Sequence, residues 1–243
     1  MPRRDPPDPG TRTLRAHEAD ESERRFAEPA NAHLLDDLFE PRIRVDASPI
    51  QFPYSDLLEG EAKLVASAIE SRQREFSTGR VLARRLLRQM NVADFELLRD
   101  EDRVPKWPVG IVGSISHTGN LCAVAIAPES EYRGIGLDVE PDRPVGPGIE
   151  GRVCTPLEVA WLETGPTADR GQRCRMIFSI KEAVYKAFYP RLRESWGFRD
   201  VSVELDLAAQ RFTAKAPPSS GSARVEGRLL RRAGWIISGI AIR

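Results

Sequence analysis

Hydrophobic and polar residues change period several times along the 243-residue chain, and each change marks an expected element. Val109–Ser116 reads as a strand, Thr118-Gly119-Asn120 as a turn, and Leu121–Ala127 as the returning, buried strand. Gly134–Glu140 then alternates strictly. As a strand it sends Ile135, Leu137 and Val139 to a packed side, and Gly134, Gly136, Asp138 and Glu140 to the other. Gly136 leaves room there for something bulky to approach the backbone. Val201–Leu207 alternates as a half-buried strand. Ala223–Leu230 and Trp235–Ile242 flank Arg231-Arg232-Ala233-Gly234, the pattern of a hairpin closing a sheet.

Helical periods fill the intervals. A short helix is expected around Asp56–Ser71. Farther on, Leu82, Leu86 and Met90 recur every four residues as a core stripe. Arg80, Arg84 and Arg88 form a row on another face, either solvated or a docking surface for phosphates. Pro105 and Pro108 hold a loop over residues 100–108. Thr155-Pro156-Leu157-Glu158 is a capping box that starts a helix. A longer helix is predicted from about Gln172 to Tyr189, stopped by Pro190, with Ile177, Ile180, Val184 and Phe188 as its apolar stripe. Ser179, Glu182 and Lys186 lie opposite that stripe. Glu182 and Lys186 are either a surface ion pair or groups facing a cleft, and Lys181 adds a third charge within six residues. With an antiparallel ending, no obvious internal repeat and no run of strand–helix units, the expected fold class is α+β.

Composition narrows the function classes. The 36 basic and 36 acidic residues cancel, so no global field points to nucleic acid and any basic site must be local. The longest apolar runs are strand-length and cannot span a bilayer. The opening MPRRDPPDPG lacks the apolar core of a secretory signal. Cys122, Cys154 and Cys174 are odd in number with no paired spacing, which reads as reduced thiols. A soluble cytoplasmic protein is expected. The first 30 residues carry five prolines and many arginines, and residues 1–45 are expected to be a flexible extension.

Two clusters carry candidate chemistry. Asp138 and Glu140 would stand roughly 6–7 Å apart on one strand face, close enough to share a divalent cation. His117 lies where a strand meets a turn, with Ser116 beside it. That position suits either a hydrogen-bonded turn residue or a contact to a phosphate or a base edge.

Three blocks in order, Gly113–His117, Gly134–Glu140 and Phe178–Ala187, resemble the motifs of 4'-phosphopantetheinyl transferases. The match is closest to the branch of the enterobactin synthetase component D proteins, which shares an Arg-rich segment like Arg72–Arg84 and a Trp-Pro pair like Trp107-Pro108. The resemblance spans roughly residues 60–205. It implies a pseudo-dimer of two similar α/β halves, here 46–128 for coenzyme A and 129–243 for metal and catalysis, with the site between them. It implies Mg²⁺-dependent transfer of the phosphopantetheine arm of coenzyme A to a serine of an apo acyl or peptidyl carrier protein, releasing adenosine 3',5'-bisphosphate. Mn²⁺ is an alternative metal, the enzyme is expected to be a monomer without nucleic-acid or membrane partners, and secondary-metabolite pathways such as siderophore biosynthesis are the implied setting. Mapped residue by residue, Asp138, Glu140 and Glu182 would hold the metal. Ser116, His117, Arg72, Arg80, Arg99 and Arg103 would meet the adenosine phosphates, Lys181 and Lys186 would face the pyrophosphate, and Glu182 and Lys186 would be catalytic. Two other classes use the same residues: a Mg²⁺-dependent enzyme acting on nucleotides or pyrophosphates without a protein acceptor, and a carrier-binding relative that has lost its chemistry.

Overall fold

The computed structural model describes residues 33–217 and 224–243, so most of the Pro/Arg-rich N-terminal stretch lies outside the described residues. The chain runs through β1 (Arg44–Pro49), α1 (Glu59–Lys63), α2 (Glu70–Gln89), β2 (Ile111–Thr118), β3 (Leu121–Pro128) and β4 (Gly134–Pro141). It continues through α3 (Glu150–Val153), α4 (Pro156–Glu163), α5 (Arg170–Leu192), β5 (Ser202–Asp206), β6 (Arg211–Lys215), β7 (Arg224–Arg232) and β8 (Trp235–Ile242). Two antiparallel sheets result, ordered β1-β3-β2 and β4-β8-β7-β6-β5. This is the mixed α and β architecture that the patterning predicts.

Both predicted hairpins form. Thr118 pairs with Leu121 across Gly119 (φ 53°) and Asn120, and Arg232 pairs with Trp235 across Ala233 (φ 49°) and Gly234 (φ 80°). Positive φ in the turn matches the twist of two short-looped strands, so the turn chemistry sets the register. The last strand then pairs with β4, Asp138 opposite Ser238.

Burial on β3 alternates in purpose. Leu121, Ala123 and Ala125 join a core with Ile135, Leu137, Val139 and Ile237, while Cys122, Val124 and Ile126 pack under α2 against Leu82 and Leu86. α5 lays Ile180, Ala183, Val184 and Ala187 across the larger sheet, onto Phe212, Leu229, Ile236 and Ile240.

Four expectations change. The extension predicted for residues 1–45 does not reach 45. Leu34, Leu35, Leu38 and Ile43 are buried in the central core, and Arg232 donates to the carbonyls of His33 (3.1 Å) and Asp36 (2.6 Å). The helix expected over Asp56–Ser71 shrinks to α1. Buried Glu61 accepts from the backbone N–H groups of Leu58 and Leu97 (both 3.0 Å), which anchors α1 across to a distant loop, and the long helix restarts at Glu70. α5 does not stop at Pro190 but runs to Leu192, where Arg193 turns left-handed (φ 55°) and its N–H bonds Tyr189 O at 2.9 Å. Finally, the second face of β4 is not open: every residue from Gly134 to Glu140 is buried. Cβ atoms on Gly134 and Gly136 would run into the carbonyl oxygens of Ala187 and Ala183, so the bulky group these glycines admit is α5 itself.

Candidate active site

β4 and β2 are edge strands of different sheets, and serine hydroxyls join them. Ser114 Oγ accepts from Leu137 N–H (3.0 Å) and Ser116 Oγ from Val139 N–H (3.2 Å). Such bonds satisfy the free edge of β4 without extending the ladder. They also bring Ser116 onto Asp138, where its hydroxyl donates to Oδ1 at 3.0 Å. The close approach of α5 over Gly136 delivers Lys186 to the same place: its Nζ lies 2.6 Å from Asp138 Oδ1 and 3.0 Å from Ser116 Oγ. Asp138 is fully buried, and its second oxygen, Oδ2, has no hydrogen-bond partner. A buried carboxylate oxygen without a donor is costly and calls for a positive group or a donor that arrives with a ligand.

Two residues on, Glu140 is buried and accepts from Arg175 Nη1 at 2.8 Å. The Arg175 fork also donates to the carbonyls of Arg143 (2.7 Å) and Pro144 (3.1 Å), which pins the turn after β4. Glu182, half-buried, stands one helical turn before Lys186. Among the described residues no three carboxylate, histidine or cysteine side chains are already gathered as a metal site. The expected set of Asp138, Glu140 and Glu182 is therefore not assembled by itself, because Lys186 and Arg175 hold two of the three carboxylates. The donor chemistry nevertheless fits a hard divalent cation: oxygen ligands, one of them orphaned at Asp138.

Neighbouring residues of β2 point oppositely, so His117 turns from Ser116's side toward α2. Its Nε2 is 2.7 Å from Arg72 Nη1, and Glu75 Oε2 lies 2.9 Å from the same Arg72 nitrogen and 3.5 Å from His117 Nδ1. About two turns along α2 from Arg72, Arg80 is buried with its guanidinium 3.9 Å over the Phe76 ring, and its Nε donates to Leu97 O at 2.8 Å. Arg99 lies over the same ring at 5.6 Å. Burial, with nearby Arg99 and Arg72 adding repulsion, pushes the Arg80 guanidinium down to about 10. Cations crowded this way are stabilised by an incoming anion. Arg103 is exposed in a left-handed turn (φ 67°).

One expected site residue is placed elsewhere. Lys181 does not face the cleft. It is buried on the other side of α5, donating to Glu158 Oε2 (2.6 Å) and Val153 O (2.8 Å), and burial lowers its pKa. Residues 181 and 182 point about 100° apart on a helix, so only one can join Lys186. The arginine row also dissolves as a surface. Arg84 is buried in an ion pair with Glu61, while Arg88 is exposed and pairs with Asp94 at 3.2 Å. Conversely, Arg175 and the Ser179–Ser238 hydroxyl pair (2.9 Å) lie outside the sequence-based set. The signal for them was present: 175, 179, 182 and 186 are spaced by four, three and four, one helix face.

Comparison with known proteins locates the chain. The family model of the 4'-phosphopantetheinyl transferase N-terminal domain matches residues 60–127, and that of the 4'-phosphopantetheinyl transferase superfamily matches residues 134–230. The chain is 34% identical over 198 residues to the 4'-phosphopantetheinyl transferase Svp of Streptomyces mobaraensis, covering 78% of this chain and 80% of that one. It is 31% identical over 159 residues to PptT of Mycobacterium tuberculosis, covering 65% and 69%. The enterobactin synthase component D of Salmonella typhimurium is 33% identical over a shorter span of 132 residues, 52% of each chain, so the resemblance to that branch is real but more distant.

Proposed function

The chain belongs to the 4'-phosphopantetheinyl transferase superfamily, and from that premise we propose that it moves the phosphopantetheine arm of coenzyme A onto a serine of an apo acyl or peptidyl carrier protein. Adenosine 3',5'-bisphosphate is the product released. The observation that carries this reading is the buried Asp138–Ser116–Lys186 cluster with its orphaned carboxylate oxygen, one strand residue from the cationic cluster at His117.

The placement of these residues supports the following roles. Arg72, His117, Arg80 and Arg99 bind the adenosine phosphates, with Arg103 at the rim. Asp138, Glu140 and Glu182 would hold Mg²⁺, or Mn²⁺, completed by water and phosphate oxygens. That ion would neutralise charge building on the pyrophosphate. Glu182 takes the proton from the carrier serine hydroxyl, and Lys186 supplies positive charge and a proton to the departing phosphate. In the pseudo-dimer reading each half lays one long helix, α2 or α5, over an antiparallel sheet. One chain holds every group named, which suits a monomer. No helix among the described residues is long and apolar enough to cross a membrane, and all three cysteines are free, which suits a cytoplasmic enzyme. The name of the enterobactin synthase relative favours siderophore and other secondary-metabolite carriers as substrates.

The test is intact-mass spectrometry of apo carriers incubated with the enzyme, coenzyme A and Mg²⁺. A gain of one phosphopantetheine per carrier is expected. Cleaved coenzyme A with unmodified carriers would favour an enzyme that needs no protein acceptor. Intact coenzyme A with carrier still bound would favour a non-catalytic relative.

A further inference from the structure

Asp138 is fully buried and has one cationic partner, Lys186, whose Nζ lies 2.6 Å from Oδ1. The lysine side chain is itself 23% exposed, so it reaches in from the cleft and can withdraw along the same path. Ser116 Oγ contacts both groups and holds the ammonium against the carboxylate. Oδ2, the remaining oxygen, is unpartnered. A carboxylate buried this deeply is stabilised by a positive charge beside it, and the chain supplies one.

We propose that Lys186 is a tethered counter-ion for the metal-free site, displaced from Asp138 when a divalent cation binds and thereby released toward the phosphates. Lysine and the cation are then alternative partners of one carboxylate. The ε-ammonium on its four-carbon stem suits the exchange, since it is a compact point charge with several rotamers, unlike a forked guanidinium. Arg175 makes the contrast. Its three hydrogen bonds to Glu140 and to the carbonyls of Arg143 and Pro144 fix it in place, so Glu140 keeps its cation while Asp138 exchanges its own. Lys186 would thus contribute to turnover while weakening metal binding in the absence of coenzyme A. This inference rests on Asp138 being a metal ligand.

Two measurements on the full chain test it, both without turnover. The first is Mn²⁺ binding followed by electron paramagnetic resonance, with no coenzyme A present. Lys186→Met should bind Mn²⁺ about tenfold tighter than the wild type, because a competing charge is gone. Lys186→Gln, which keeps a hydrogen-bond donor for Asp138, should do the same and guards against a folding defect in the first variant. Unchanged or weaker binding in a folded variant would overturn the proposal. The second uses the wild-type protein. Acetylation of Lys186 by acetic anhydride, read by peptide mass, should rise when Mg²⁺ is added. A flat response would mean the lysine never leaves. Asp138→Asn separates the two failures. If it leaves Mn²⁺ affinity intact, the metal reading itself is wrong. If it abolishes binding while the lysine variants bind no tighter, only the exchange is wrong.

Discussion

Gly136 lies so close beneath Ala183 that a side chain on the strand would overlap the helix carbonyl oxygen. This contact sets the height of α5 over β4, and with it the reach of Lys186 to Asp138. Gly136→Ala should lower stability by about 3 kcal/mol or more, since neither backbone can yield alone. Chemical denaturation measures this. A variant as stable as the wild type would mean the helix has room to lift.

Lys181 and Lys186 share a helix but not a role. Lys181→Met leaves Glu158 buried without its cation and should cost about 3–5 kcal/mol, with turnover per folded molecule near normal. Lys186→Met should cut turnover by about a hundredfold or more. A large turnover loss in well-folded Lys181→Met would return Lys181 to the pyrophosphate.

Glu182→Gln keeps the shape and removes the charge. Turnover should fall about a hundredfold or more, and Mg²⁺ affinity should fall with it. Lost turnover at unchanged Mg²⁺ affinity would leave Glu182 as the base alone. Near-normal turnover would remove it from the mechanism.

Arg72 is one-third exposed beside His117, and Arg80 is buried behind it. Arg72→Ala should weaken coenzyme A by about one to two decades, and dephospho-coenzyme A, which lacks the 3'-phosphate, much less. Arg80→Ala should show the same discrimination and also melt earlier, because the bond to Leu97 O and the Phe76 stack are lost. Calorimetric titration with both ligands decides it. Equal losses would place the 3'-phosphate elsewhere.

Burial pushes the Cys122 thiol up to about 12. It should stay unmodified by iodoacetamide at pH 8 in the native protein and react once the chain is unfolded, because the thiolate is the reactive form. Alkylation of native Cys122 would show that α2 opens from the sheet.

What the sequence determined by itself is local and periodic. Alternation over Gly134–Glu140 was enough to put Asp138 and Glu140 on one face. Turn residues at Gly119 and Ala233-Gly234 were enough for both hairpins, and the Ile177–Phe188 stripe for the helix that carries Glu182 and Lys186. These patterns depend on neighbours within about one turn or one strand, so one stretch of chain contains them. Tertiary structure alone decided what covers each face. The Asp138 face received α5 instead of solvent, and Lys181 found Glu158 while its neighbour Glu182 kept to the side of Lys186. Arg84 found Glu61 twenty-three residues away, Arg175 found Glu140, and the leucines at 34–38 went under β8. A charged side chain has the same local propensity whether its partner is water, a buried carboxylate or a phosphate. The partner is chosen by which distant segments pack together, and that choice depends on how the two sheet edges and their crossing helices fit, which no single stretch encodes.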